Sequence, residues 1–139
     1  MTPPSPIARD GQFHADGLLV LVVDDNERNL RLARDVLRAA GFLTLEATTG
    51  GEALSLADRE LPDVVLLDLG LPDIHGTAVA RTLRDAERTA RIPLVALTSQ
   101  PLGGGDWHVD AGFDGYVEKP FDVGTFPDLV RGYCGTDTG

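Results

Sequence analysis

An uninterrupted apolar run that ends in a carboxylate constrains the fold more than any other stretch of this chain. The run Asp63-Val-Val-Leu-Leu-Asp68 is bounded by Pro62 and by Gly70-Leu-Pro72. A short run of β-branched and leucine residues without polar alternation is typical of a strand buried on both faces, as in the middle of a parallel sheet. Asp68 then lies at the carboxyl end of that strand, where open α/β sheets bind ligands. A turn-initiating aspartate is the alternative interpretation.

Strand-like and helix-like stretches alternate along the rest of the chain. The other strands are predicted at Leu18–Val23, Phe42–Ala47, Ile92–Thr98 and Asp114–Glu118. The helices are predicted at about Glu27–Ala40, from the capping box at Thr49 to Glu60, at Thr77–Asp85 and at Pro127–Cys134. This alternation predicts a doubly wound α/β fold, with a five-stranded parallel sheet, right-handed crossovers and helices on both faces.

Length and composition fit one soluble globular domain. The 139 residues are 42% hydrophobic and 24% charged, which is enough for a real core. The formal charge of −10 argues against direct contact with nucleic acid. Neither a long apolar segment nor a signal peptide is present, so we expect no membrane contact and a cytoplasmic location. Cys134 is the only cysteine, which excludes an intramolecular disulfide, and we expect it to be inert.

Three segments are expected to be poorly ordered. Residues 1–17 are rich in proline and glycine and are predicted to form a flexible tail before a domain at 18–134, and residues 135–139 should fray. Between the fourth and fifth strands, Gly103–Gly105 is a poor start for a helix because glycine loses much backbone entropy on folding. We therefore expect the helix there to be shortened or mobile.

Polar residues follow four of the five predicted strands. They are Asp24 and Asp25 after the first, Asp68 after the third, Thr98 after the fourth and Lys119 after the fifth. In a parallel sheet these strand ends share one edge. Three neighbouring carboxylates repel one another unless a proton or cation intervenes, and Mg²⁺, which prefers oxygen ligands, is the natural partner.

This set of side chains is suited to phosphoryl transfer. An aspartate beside Mg²⁺ is a site for forming an acyl phosphate. A hydroxyl and an ammonium group, here Thr98 and Lys119, would stabilise charge on the transferred oxygens. Lys119 is the single lysine beside eleven arginines, and its compact charge suits this place better than a planar guanidinium. Each residue alone also fits a solvated strand end, but the combination favours phosphoryl chemistry.

The motifs at the strand ends resemble those of the receiver domain of two-component response regulators. They read Val22-Val-Asp24-Asp25-Asn26, Leu66-Leu-Asp68-Leu-Gly-Leu-Pro72, Leu97-Thr98-Ser99 and Tyr116-Val-Glu-Lys119-Pro120. The resemblance covers roughly Leu18 to Tyr133. It implies the flavodoxin-like receiver fold with strand order 2-1-3-4-5.

The resemblance also implies a role for each site residue. Asp68 would be the phosphoacceptor. Asp24 and Asp25 would be the acidic pair that binds Mg²⁺, together with Asp68 and the backbone carbonyl of Gly70.

The resemblance gives roles to four further residues. Lys119 would contact the phosphoryl group, and Pro120 would follow a cis peptide bond, an isomer essentially confined to X-Pro. The hydroxyl of Thr98 would couple to inward movement of Tyr116.

The implied partners are proteins. A sensor histidine kinase or a histidine phosphotransfer protein would donate the phosphoryl group, and a downstream protein target would read the signal by contact. The chain looks most like single-domain regulators and the receivers of hybrid kinases, and we expect it to turn over no metabolite. Because the helix before the fifth strand is predicted to be short, we do not expect a conventional dimer through that surface.

The sequence disfavours three other functions. A phosphohydrolase that uses an aspartyl phosphate usually has a second aspartate two residues after its nucleophile, a spacing that Asp24-Asp25-Asn26 lacks. A flavin carrier needs a phosphate-binding loop after the first strand, where this chain is acidic. A pseudo-receiver that binds partners without phosphorylation is disfavoured because all the site residues are retained.

Overall fold

The computed structural model describes residues 17–98, 109, 111–119 and 122–134. Its strands are β1 (Leu19–Val23), β2 (Leu43–Ala47), β3 (Val64–Asp68), β4 (Leu94–Thr98) and β5 (Gly115–Glu118). The helices within these ranges are α1 (Glu27–Ala39), α2 (Gly50–Glu60), α3 (Gly76–Asp85) and α4 (Phe126–Cys134). The predictions for the tail at 1–16, the Gly103–Gly105 segment, the peptide bond before Pro120 and the C-terminal residues 135–139 lie outside the described residues.

All strand pairs of the sheet are parallel, and their order is β2-β1-β3-β4-β5. This confirms the predicted order. The register pairs Val23 with Leu67, so that the next residues, Asp24 just after β1 and Asp68 at the end of β3, lie at the same level. Thr98 pairs with Glu118, the residue before Lys119. The register therefore brings the predicted site residues to one edge of the sheet.

The alternation of side chains along the strands divides the core between the two faces of the sheet. Residues such as Leu21, Val65 and Leu94 face α2 and α3. Residues such as Val22 and Leu66 face α1 and α4, where Phe126 is fully buried. Every residue of β3 and β4 is buried, as expected for central strands with helices on both sides.

Side-chain caps set the starts of the first three helices. The Oδ1 of Asn26 accepts from the N–H groups of Arg28 and Asn29 at the start of α1. Thr49 caps α2 through the N–H of Glu52. The Nδ1 of His75 accepts from Thr77, so α3 begins one residue before the predicted start. No helix within the described ranges has both the length and the apolar character needed to cross a membrane.

Candidate functional site

A cleft of about 490 Å³ lies at the carboxyl edge of the sheet. The turn after β1 contributes Asp24 and Asp25, and the end of β3 contributes Asp68. Thr98 enters from the end of β4 and Lys119 from the residue after β5. The structure therefore brings together the polar strand-end residues that the sequence predicts.

The three carboxylates of the cleft form a cluster suited to a hard divalent cation. One oxygen from each of Asp24, Asp25 and Asp68 lies within 4.8 Å of the other two. Asp24 and Asp68 are buried, whereas Asp25 is exposed to solvent. An all-oxygen donor set with one open side fits Mg²⁺, which binds one or two carboxylates and keeps several waters.

The ammonium group of Lys119 provides the positive charge within this cluster. Its Nζ lies 2.7 Å from Oδ2 of Asp24 and 3.4 Å from Oδ1 of Asp68. Its backbone N–H donates to the carbonyl of Thr98 at 2.8 Å, which ties the residue to the end of β4. Lys119 thus offsets part of the repulsion among the carboxylates.

Asp24 has a donor at both of its oxygens. The N–H of Asn26 donates to Oδ1 at 3.0 Å, and the amide of Asn29 donates to Oδ2 at 3.2 Å, beside Lys119. These contacts orient Asp24 and leave Asp25 as the more accessible carboxylate. Asn29 was not among the predicted site residues, although its place one turn after the Asn26 cap was an available signal.

Asp68 lies in an environment that disfavours its ionised form. Burial, the largest cause, raises the pKa of Asp68 above its ordinary value of 3.8. The nearby Lys119 charge lowers the pKa, Asp24 raises it, and a hydrogen bond from the N–H of Gly70 at 3.3 Å lowers it again. A cation in the cleft would add further stabilisation to the carboxylate form.

Of the remaining predicted residues, Gly70 lines the cleft and Tyr116 does not. Gly70 is exposed and lines the cleft directly after Asp68 and Leu69. Tyr116 is 45% exposed and lines a separate groove between β5 and α4, so it is not part of the cleft in this structure. His75 and Thr77 also line the cleft, although the sequence analysis assigned them no role.

A larger cleft, of about 820 Å³, lies at the opposite, amino-terminal edge of the sheet. One of the cations that line it, Arg84, is already bound by protein groups. The guanidinium donates to the carbonyls of Ala90, Ile92 and Gly112 and to the carboxylate of Asp114. Among the described residues, the cluster of three carboxylates lies at the carboxyl edge and not in this cleft.

Comparison with known protein families identifies the family of this chain. Residues 20–131 match the family described as the response regulator receiver domain. The chain is 36% identical over 117 residues to the polar-differentiation response regulator DivK of Brucella ovis, a match that covers 84% of this chain and 95% of that protein.

Solved structures show the same relationship. The receiver domain of a sensor histidine kinase from Pseudomonas aeruginosa, solved with a magnesium ion coordinated in its active site cleft, is 30% identical with a TM-score of 0.78. That match covers 86% of this chain and 98% of the other. A CheY-like receiver domain from Methylobacillus flagellatus is 26% identical with a TM-score of 0.74, covering 83% and 97% of the two chains. The chain belongs to the response regulator receiver domain family.

Proposed function

We propose that residues 18–134 form a phosphoacceptor receiver of a two-component phosphorelay, in which Asp68 takes a phosphoryl group from a sensor histidine kinase or a histidine phosphotransfer protein. The observation that supports this most directly is the cluster of Asp24, Asp25 and Asp68 with Lys119 in one cleft. The signal then passes to a downstream protein target by contact. No metabolite is turned over, and the only reactions are gain and loss of the phosphoryl group.

Asp24, Asp25, Asp68 and the backbone carbonyl of Gly70 would hold Mg²⁺. When bound, the ion neutralises carboxylate charge and draws charge from the oxygens of the transferred group. The magnesium ion in the related Pseudomonas aeruginosa receiver domain supports this assignment.

The side chains of this chain supply orientation and electrostatic stabilisation. Lys119 and the N–H of Gly70 both approach Oδ1 of Asp68, which restricts the rotation of the nucleophile. In the transfer, the P–N bond to the donor histidine breaks with its electron pair left on the imidazole, which takes up a proton, and a P–O bond to Asp68 forms. Lys119 and the hydroxyl of Thr98 stabilise the negative charge of the phosphoryl oxygens.

Transmission of the signal would use Thr98 and Tyr116. A phosphoryl group on Asp68 would draw the hydroxyl of Thr98 inward and leave space that Tyr116 fills. The exposed position of Tyr116 in this structure is compatible with the inactive state. Amide exchange across residues 100–112, which include much of the segment outside the described residues, should fall on addition of beryllofluoride; a segment already protected in the inactive form would contradict this mechanism.

Intact-mass analysis tests the acceptor assignment. The wild-type chain should gain one phosphoryl group from acetyl phosphate in the presence of Mg²⁺, and chelation of the metal should prevent the gain. Asp68→Asn keeps the side-chain volume but removes the nucleophile, so it should gain none. If Asp68→Asn still gains a phosphoryl mass, Asp68 is not the acceptor, and Asp24 or Asp25 becomes the candidate.

A further inference from the structure

Asp73 links the loop that follows β3 to the first turn of α2. Its Oδ1 accepts from the N–H of Gly50 at 2.7 Å, and its Oδ2 accepts from the N–H of Gly51 at 3.0 Å. These N–H groups have no partner within their own helix, because the first four amides of an α-helix lack a carbonyl one turn earlier. The carboxylate also complements the positive end of the helix dipole. The two hydrogen bonds lower the pKa of Asp73, so the carboxylate is ionised at neutral pH.

The loop from Leu69 to His75 is closed at its base. The N–H of Gly76 donates to the carbonyl of Leu69 at 3.0 Å. A Cβ on Gly76 would lie 2.7 Å from the carbonyl oxygen of Asp68, so only glycine allows this close approach of α3 to the end of β3. The base therefore holds both ends of the loop next to the cleft.

Further contacts hold the tip of the loop, by which we mean Asp73 and Ile74. Asp73 supplies the two hydrogen bonds to α2, and the neighbouring Ile74 packs against Gly50, where an added Cβ would lie 3.1 Å from the Cβ of Ile74. Gly70 lies between base and tip. It is exposed, and a Cβ added there would meet nothing within 4 Å. Among the residues that the structure describes, its N–H donates to Oδ1 of Asp68 at 3.3 Å. A glycine with so few restraints would sample many conformations if the tip were released.

Helix capping alone does not account for Asp73. α2 already has its own cap, in which Oγ1 of Thr49 accepts from the N–H of Glu52 at 3.1 Å and Oε1 of Glu52 accepts from the N–H of Thr48 at 2.9 Å. This arrangement is a variant of the capping box, in which Glu52 accepts from the residue before the cap instead of from Thr49 itself. Thr49 lies at the same helix end as the Asp73 contacts, and within the described residues its side chain bonds to Glu52 and not to the loop. A Thr49 variant therefore tests loss of helix capping without loss of the loop contact.

We propose that Asp73 is a positioning residue that anchors the β3–α3 loop to α2 and thereby holds the Gly70 carbonyl where Mg²⁺ binds. The inference rests on the proposed function. Loss of an outer contact that orients a metal ligand typically weakens metal affinity about 10- to 100-fold. Because Asp73 acts through two intervening residues, Leu71 and Pro72, we expect the low end of that range, about tenfold.

Three variants of the full chain test the proposal against the wild type: Asp73→Ala, Asp73→Asn and Thr49→Ala. In metal-free protein, the NMR order parameter of the Gly70 amide should be about 0.85 in the wild type, as for rigid backbone, and below about 0.6 in Asp73→Ala. It should stay near the wild-type value in Thr49→Ala. Asp73→Asn keeps one good acceptor and should give an intermediate value, which also provides a variant if Asp73→Ala fails to fold.

The same proteins are then titrated with Mg²⁺ alone and phosphorylated with acetyl phosphate. Asp73→Ala should need about tenfold more Mg²⁺ for half-maximal binding and rate, while the rate at saturating Mg²⁺ should change less than twofold. Thr49→Ala should behave as wild type. An unchanged Gly70 order parameter in Asp73→Ala, an unchanged Mg²⁺ affinity, or an equal loss in Thr49→Ala would overturn the proposal. Failure of the wild type to gain a phosphoryl group would overturn the proposed function instead, and the Gly70 order parameter would still decide whether Asp73 anchors the loop.

Discussion

The ammonium group of Lys119 lies 2.7 Å from the Oδ2 of Asp24, although 95 positions separate the two residues. Lys119 follows β5 at one edge of the sheet, and Asp24 follows β1 on the far side of β3 and β4. The side chain of Asp24 is 1% exposed and that of Lys119 is 15% exposed, so little water screens the pair. In the absence of metal, the ammonium group of Lys119 supplies positive charge next to the three carboxylates.

Replacing Lys119 by Met should leave the buried Asp24 charge without its cation. Removing one partner of a buried ion pair typically lowers the free energy of unfolding by about 3–5 kcal/mol. We expect a loss of about 3 kcal/mol, because Asn26 and Asn29 still donate hydrogen bonds to Asp24. The loss should appear in urea denaturation with chelator, and Mg²⁺ should restore more stability in this variant than in the wild type, because the ion replaces the lost charge. Arg81→Met removes an exposed cation and serves as the control; an equal loss in both variants would contradict this reading.

Removal of Mg²⁺ should lower the melting temperature of the wild-type chain. A ligand present at one hundred times its Kd stabilises the folded state by about 2.7 kcal/mol. Asp25→Asn should reduce this gain while leaving the metal-free protein as stable as the wild type or more so, because one of three repelling carboxylates is removed. Asp85→Asn, at the exposed end of α3, should retain the full Mg²⁺ effect. Equal Mg²⁺ shifts in wild type and Asp25→Asn would exclude Asp25 as a ligand.

Leu61→Gly should stabilise the fold. Leu61 ends α2 with φ of 48° and is 45% exposed, so a branched side chain occupies a left-handed conformation without being buried. Glycine relieves about 1–2 kcal/mol of steric cost and loses about 0.5–1 kcal/mol of backbone entropy, for a net gain of about 0.5–1 kcal/mol. Leu32→Gly, at an exposed site within α1, should instead destabilise by about 1 kcal/mol. Denaturant melts measure the free energy of unfolding of both variants. A lower value for Leu61→Gly than for the wild type would mean that the side-chain contacts of Leu61 contribute more than its backbone strain costs.

Cys134 should resist alkylation in the folded protein. Burial raises the pKa of its thiol from 9.0 to about 12, with the Asp63 carboxylate acting in the same direction and Arg131 opposing it. The thiol therefore loses its proton near pH 9 in the unfolded chain and only near about pH 12 in the folded protein. Because the folded state keeps the proton more tightly, this contribution to the free energy of unfolding is full below pH 9 and is lost as the pH rises toward about 12. Iodoacetamide labelling at pH 9 should be slow until urea is added, and Cys134→Ala should show a smaller fall in stability above pH 9 than the wild type. Rapid labelling of the native protein would contradict the burial of this thiol.

The sequence predicted the elements well because their signals are local. The run from Val64 to Asp68 has no polar residue before its end, and it became the fully buried β3. Asn26 and Thr49 are ordinary cap residues and start their helices where expected. The start of α3 was one residue late in the prediction, because His75 is not among the side chains usually expected to accept the first helical N–H.

The meeting of the polar strand-end residues in one cleft could be predicted for a similarly simple reason. Parallel strands with right-handed crossovers all end at one edge, so Asp24, Asp25, Asp68 and Lys119 had to lie near one another once the alternation of strands and helices was recognised. The roles of Asp24, Asp25, Asp68, Gly70, Thr98, Tyr116, Lys119 and Pro120 stay predictions. The exposure of Tyr116, outside the cleft, was not evident from its position before Lys119.

The chain alone thus determined the type and order of its elements and the edge at which its acidic residues and single lysine meet. Only the tertiary structure decided which of these groups touch: Lys119 with Asp24, Asn29 with the same carboxylate, and Asp73 with the amides of Gly50 and Gly51. Tyr133 likewise fills the space that a side chain on Gly115 would need. Local patterning arises from each segment's own periodicity and caps, whereas a hydrogen bond between distant residues depends on strand register and on the packing of loops and helices, to which the whole chain contributes.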